Sequence, residues 1–157
     1  MIRSRMVKLS FAGLFLLAGN LALSAQTANK IYAQKLVDQA LAKHPEVIIL
    51  AMHVTPPDKT DNVIIASNIG RIGKKADEDD LRVIQTGKPN LERNTKGDHF
   101  EVELVLQDES GKTIGALGVV FMYKPNNEAA FQKNAEQLRD ELRSQITSLA
   151  KLFEKVD

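Results

Sequence analysis

The chain has 157 residues, a formal net charge of +1 and no cysteine. The missing cysteines exclude a disulfide framework, a thiolate nucleophile and Cys-ligated zinc, and the near-neutral balance excludes the basic footprint of a nucleic-acid binder. Tryptophan is absent and only 5% of residues are aromatic, so any core must be aliphatic.

The first element is an export signal. Arg3, Arg5 and Lys8, with no acid among them, precede an apolar run from Phe11 to Leu23 that exits through Ala22, Ser24 and Ala25. A basic start, a short apolar stretch and a small-residue exit form the secretory pattern. The run is shorter than the ~20 apolar residues of a stable membrane span. Cleavage is expected after Ala25, with Ser24 as the second choice; an uncleaved anchor is the alternative. The absence of cysteine excludes a lipoprotein-type lipid anchor. Losing Arg3, Arg5 and Lys8 moves the formal charge from +1 to −2. The remaining segment, 26–157, is long enough for one hydrophobic core and too short for two.

Thr27 to Lys43 has helical spacing at Ile31, Leu36, Val37, Ala40 and Leu41, with Thr27 as the cap and Pro45 as the stop. Val47 to Val54 is a nearly continuous apolar strand, and Pro56-Pro57 with a polar turn connects it to a second strand, Val63 to Ala66, as a hairpin. A continuous apolar strand implies burial on both faces. A Gly-punctuated basic stretch, Asn68 to Lys75, leads to a short helix from Asp77 to Gln85. Asp77 and Asp80 have capping-box spacing, with the acids facing solvent, and Gly87 is placed to end the helix. Leu91 to Asp98 reads as a loop with a short strand at its start. Phe100 to Gln107 alternates, with Phe100, Val102, Leu104 and Leu106 on one face and Glu101, Glu103 and Gln107 on a wet face. A turn from Asp108 to Lys112 leads into a partner strand, Thr113 to Tyr123, where Gly115 and Gly118 mark a bulge or a close approach. From Asn127 onward one long helix is expected, with Phe131, Ala135, Leu138, Leu142, Ile146, Leu149, Phe153 and Val156 forming its stripe. That stripe suits packing on the domain, or a helical dimer seam or docking surface. The fold class is therefore α+β, an antiparallel sheet with helices at one face and at the ends.

The strand pair ending in Ala66-Ser67-Asn68, then Ile72-Gly73-Lys74, Thr86-Gly87-Lys88, and the phrase Asp108 to Gly115 (Asp-x-Ser-Gly-Lys-x-Ile-Gly) resemble the extracytoplasmic Cache sensor domains. The resemblance covers Thr27 to Tyr123. It implies a PAS-like fold and a small-molecule ligand, such as an amino acid or organic acid, held in a pocket over the sheet. It also implies a membrane-bound signalling partner, because neither a second span nor an output domain follows in this chain, and the expectation is a free-standing sensing or binding accessory.

No catalytic or cofactor motif is present: there is no Gly-x-Ser-x-Gly elbow and no Gly-x-x-x-x-Gly-Lys-Ser/Thr loop. His44, His53 and His99 lack metal-ligand spacing, so no metal, no cofactor and no enzymatic activity are expected. In a PAS-like domain Arg71 and Lys74 would rim the pocket and clamp a carboxylate, which points to an anionic ligand. Ser67, Asn68 and Tyr123 are candidates for neutral hydrogen bonds at the same rim, and His53 is a pocket-edge residue. A cavity of about 300 Å³ or more between the second strand, the Arg71 loop and the Gly115–Gly118 strand would mark a ligand site.

Overall fold

The computed structural model describes residues 30–156; the expected export signal and the expected Thr27 cap lie outside them. The elements are β1 (Lys30–Ile31), α1 (Tyr32–Lys43), β2 (Val47–Val54), β3 (Val63–Ser67), α2 (Glu78–Thr86), β4 (Asn90–Arg93), β5 (His99–Gln107), β6 (Thr113–Met122), α3 (Glu128–Arg143), a 3-10 turn (Ala150–Phe153) and β7 (Lys155–Val156). Five strands form one antiparallel sheet in the order β3-β2-β6-β5-β4. Within this sheet the first strand in chain order lies beside the last, and the β2–β3 and β5–β6 hairpins are joined through the β2–β6 pair. β1 and β7 pair separately, tying the two ends of the domain together.

The alternation of side chains along each strand separates two faces. Leu50, Met52 and Val54 of β2, Val102, Leu104 and Leu106 of β5, and Leu117, Val119 and Phe121 of β6 meet α1 and α3. α1 contributes Ala33, Leu36 and Val37, and α3 contributes Ala135, Leu138 and Leu142. These side chains are at most 2% exposed, and burying each large aliphatic contributes about 1.5–3 kcal/mol. Phe131 of α3 stacks on Phe121 at 4.9 Å between ring centroids and also meets Phe100, which in turn contacts Tyr123, so one aromatic cluster sits in a largely aliphatic core.

Two expectations are corrected by this arrangement. The C-terminal helix stops at Arg143 instead of running on to the end of the chain. Ser144 Oγ turns back onto the carbonyl of Glu141, and the carbonyl of Ile146 accepts a hydrogen bond from Glu109 N, so the chain leaves the helix to bring Ile146 and Leu152 into the core. Ala135, Leu138, Leu142 and Ile146 are buried in their own domain and do not present a continuous seam. Second, the helices are not confined to one face, because α2 lies across the other, over β5 and β6.

Local signals set the ends of α2 where the sequence placed them, whereas α1 begins only at Tyr32, after the β1 strand. Asp77 Oδ1 accepts from the amides of Asp79 and Asp80, and Asp80 Oδ2 accepts from Asp77 N, completing the capping box. Gly87 closes α2 in the left-handed region at φ 69°. Gly115 is required by close approach: a Cβ there would lie 2.1 Å from the carbonyl oxygen of His53 on β2.

Candidate functional site

The second face of the sheet is roofed by the segment between β3 and α2. After Ser67 the chain passes through Gly70, Arg71 and Gly73, all at positive φ, and doubles back. Ile64 N donates to Lys74 O, Gly73 N to Ile64 O and Ala76 N to Asn62 O, so residues 73–76 run antiparallel beside the start of β3. Arg71 holds φ 62°, a conformation uncommon for a side chain of its size, within this reversal. The reversal launches α2 across the sheet and brings Asp77 and Asp80 above β2 and β5.

Under this roof is a cavity of about 160 Å³ lined by Ile49, Ala51 and His53 of β2, Ile64 of β3, Ile69, Arg71, Lys74 and Asp77 of the roof, Asp80 of α2, Glu101 and Glu103 of β5 and Val120 of β6. It lies where the sequence places the pocket, at about half the volume expected for a metabolite site. A larger groove of about 400 Å³ runs between α1 and α3 past Ala40, Lys43, Leu138, Glu141 and Gln145. Its polar groups are of ordinary helix-surface type. The smaller cavity is the one on which buried polar groups converge.

Asp80, Glu103 and His53 are 3%, 7% and 8% exposed. His53 Nδ1 lies 3.0 Å from Asp80 Oδ2, yet the contact is out of line for a hydrogen bond, and this nitrogen is buried without an aligned partner. Asn90 Nδ2 donates to Glu103 Oε2 at 3.1 Å. Burial, reinforced by the charges of Asp80 and Glu101, pushes the Glu103 carboxyl up to about 8. Burial and Asp80 likewise raise Glu101. Burial acts on Asp80 in the same direction, but the His53 contact, the Asp77 amide and Lys74 outweigh it together and hold Asp80 below the usual carboxylate range. Neighbouring acids driven in opposite directions are frequent at functional sites, and structural ion-pair networks produce the same pattern.

Of the six residues singled out from sequence, the structure brings His53, Arg71 and Lys74 to the cavity, with Arg71 and Lys74 exposed at its rim. The other three lie elsewhere, which corrects the expectation for them. Ser67 is buried at the end of β3, where its amide donates to Gln34 of α1 and its Oγ accepts from Ile69 N. Asn68 accepts from Leu50 N and donates to Ile48 O, continuing the β3 edge of the sheet with its side chain. Tyr123 stands on the helical face, donating to Glu128 Oε1 with the Arg93 guanidinium 4.0 Å from its ring centroid. Sequence reasoning misses Asp80, Glu101 and Glu103 as site residues. Alternation puts the two glutamates on the second face, but that face is covered and Glu103 is dry. Asp80 is buried against His53 and is not part of a solvent-facing helix start.

The antiparallel five-stranded sheet in this order carries two helices on one face and a helix-bearing crossover over a small cavity on the other, an arrangement consistent with a known fold type. The fold is of the PAS/GAF type. The chain is similar to the GAF domain of A. aeolicus nlh2 in an inactive state, with a TM-score of 0.55 and 14% identity over 80% of this chain and 88% of that one. It is also similar to the Agrobacterium tumefaciens repressor BlcR, with a TM-score of 0.55 and 10% identity over 73% of this chain and 67% of that one. At these identities the likeness concerns the fold. No protein-family model and no curated protein matches the chain. The PAS-like architecture expected from sequence is thus present; membership of the Cache family is not established by these neighbours.

Proposed function

We propose that this PAS/GAF-type domain is an exported ligand-sensing module whose ligand occupies the cavity beneath the β3–α2 segment, and that it works as an accessory to a membrane-bound signalling partner. The observation that carries the reading is the convergence of His53, Asp80 and Glu103, all buried, on one small cavity over the sheet. Buried polar groups destabilise a fold unless something satisfies them, and a bound ligand would satisfy the atoms of this cluster that lack a donor or acceptor. Export rests on the basic start, apolar run and small-residue exit of residues 1–25; among the described residues no helix is long and apolar enough to cross a membrane.

The lining also bears on the sign of the ligand. Asp77, Asp80, Glu101 and Glu103 face the cavity against Arg71 and Lys74 at its rim. An anion clamped by Arg71 would approach the charged carboxylate of Asp80, while burial favours the neutral form of Glu103 and, in the same direction, of Glu101. A ligand group bearing positive charge would meet Asp80 favourably, and on that ground we favour a cationic group over the anionic ligand expected from Arg71 and Lys74.

Amide chemical-shift mapping with a panel of amino acids, amines and organic acids tests the reading. A binder is expected to perturb Ala51, His53 and Val120 and to raise the melting temperature by selective binding to the folded state. Changes confined to the α1–α3 groove would overturn it.

A further inference from the structure

We infer that the cavity is a divalent-cation site in which Asp77, Asp80 and Glu103 supply the ligand oxygens and His53 positions Asp80. The inference rests on the reading that this cavity is the domain's ligand site, and it names the ligand.

Three observations converge. One ligand oxygen from each of Asp77, Asp80 and Glu103 lies within 4.8 Å of the others, the spacing of oxygens around a shared cation. The hydrogen bonds of the cluster occupy only one oxygen of each carboxylate: Asp77 Oδ1 takes the α2 amides, Asp80 Oδ2 takes Asp77 N, and Glu103 Oε2 takes Asn90. Asp77 Oδ2, Asp80 Oδ1 and Glu103 Oε1 have no donor among the described residues.

Independently, His53 directs a buried ring nitrogen into the cluster, 3.0 Å from Asp80 Oδ2 and without an aligned hydrogen bond. Ligating carboxylates are held by outer-shell hydrogen-bonding partners, a role open to an imidazole at this distance. The cavity volume of about 160 Å³ suits an ion with a few waters better than a metabolite, since each water takes about 30 Å³. Asp77 is exposed, which leaves an entry path from solvent. Carboxylate-rich ligation favours Mg²⁺, Ca²⁺ or Mn²⁺ over thiophilic metals.

The probe is Mn²⁺ added to chelator-treated protein, with bound ion counted by EPR and located by paramagnetic broadening of amide resonances. One Mn²⁺ per chain is expected, with broadening centred on Ala51, His53 and Val120. Glu103→Gln, which leaves the α2 cap untouched and can keep the Asn90 hydrogen bond, is expected to weaken binding at least about tenfold; His53→Gln should weaken it by about 10–100-fold, the range for an outer-shell partner. Asp77→Asn, whose side chain still caps α2, is a second ligand test that does not risk the helix. No Mn²⁺ binding at millimolar ion, broadening centred elsewhere, or equal affinity in Glu103→Gln and the wild type would overturn the inference. The same samples meet the metabolite panel. An organic amine that perturbs the cavity resonances when Mn²⁺ does not bind would overturn the cation and leave the sensor reading standing; silence of the cavity to both removes both.

Discussion

Glu103→Gln is the sharpest physical probe of the cavity. The wild-type carboxyl is raised from 4.5 to about 8 by burial and by Asp80 and Glu101. The sign follows from proton linkage. Between pH 4.5 and about 8 the folded state holds more of this proton than the unfolded state, so stability falls as pH rises through that window. Below it both states are protonated and the cost disappears. A tenfold change in proton affinity corresponds to about 1.4 kcal/mol, so the full displacement is worth roughly 5 kcal/mol at pH 9. Water entering the cavity and relaxation of Asp80 reduce this, and about 2–3 kcal/mol is expected. Glutamine keeps the shape and an acceptor for Asn90 while removing the charge. Urea unfolding followed by far-UV circular dichroism, with chelator present, should therefore show the variant about 2–3 kcal/mol more stable than wild type at pH 9. At pH 5 the two should agree within about 0.5 kcal/mol, the usual scatter of a neutral substitution. A gap that is the same at both pH values, or a wild-type stability that is flat from pH 5 to 9, would refute the buried-carboxylate argument.

Further substitutions test the structural assignments. Asp77→Ala removes the side-chain cap of α2 and should cost about 0.5–2 kcal/mol in urea unfolding, while Asp77→Asn should be near neutral. Gly115→Ala forces a Cβ to 2.1 Å from the carbonyl oxygen of His53, so a loss of at least about 2 kcal/mol is expected. Gly118→Ala meets only the flexible end of Glu101 at 3.2 Å and should be tolerated far better; equal losses would contradict the close approach of β2. Leu142→Ala should cost about 2–5 kcal/mol without changing the oligomeric state, checked by denaturation and light scattering, because Leu142 is buried within its own domain. Tyr123→Phe should leave binding at the cavity unchanged in NMR titrations, since its hydroxyl is engaged by Glu128 on the opposite side of the sheet.

Much of the scaffold is legible in the sequence because its signals are local. The β2–β3 and β5–β6 hairpins follow from apolar strands punctuated by turn residues, and the ends of α2 follow from Asp77 and Gly87. Alternation in β5 places Glu101 and Glu103 opposite the core correctly. The end of α3 is not legible, because periodicity continues through Ile146 and Leu149; the chain keeps the apolar spacing while leaving the helix, and only packing against Glu109 and the core reveals the break. Ser67, Asn68 and Tyr123 carry side chains suited to binding, but hydrogen bonds to α1, β2 and α3 absorb them.

Composition and short-range pattern are enough to specify the aliphatic bias of the core, the α+β class and the faces of the alternating β5 strand. Those properties depend on residue content and on a repeat of two or about 3.6 residues. The site is a product of the tertiary fold. His53, Asp80 and Glu103 stand on three different elements, and nothing in their spacing along the chain relates them. They meet because the reversal through Gly70, Arg71 and Gly73 carries α2 over a face that alternation alone marks as wet. A covering segment changes the dielectric around a carboxylate without altering the residues near it in sequence, and that is why a surface glutamate by pattern becomes a buried one in the fold.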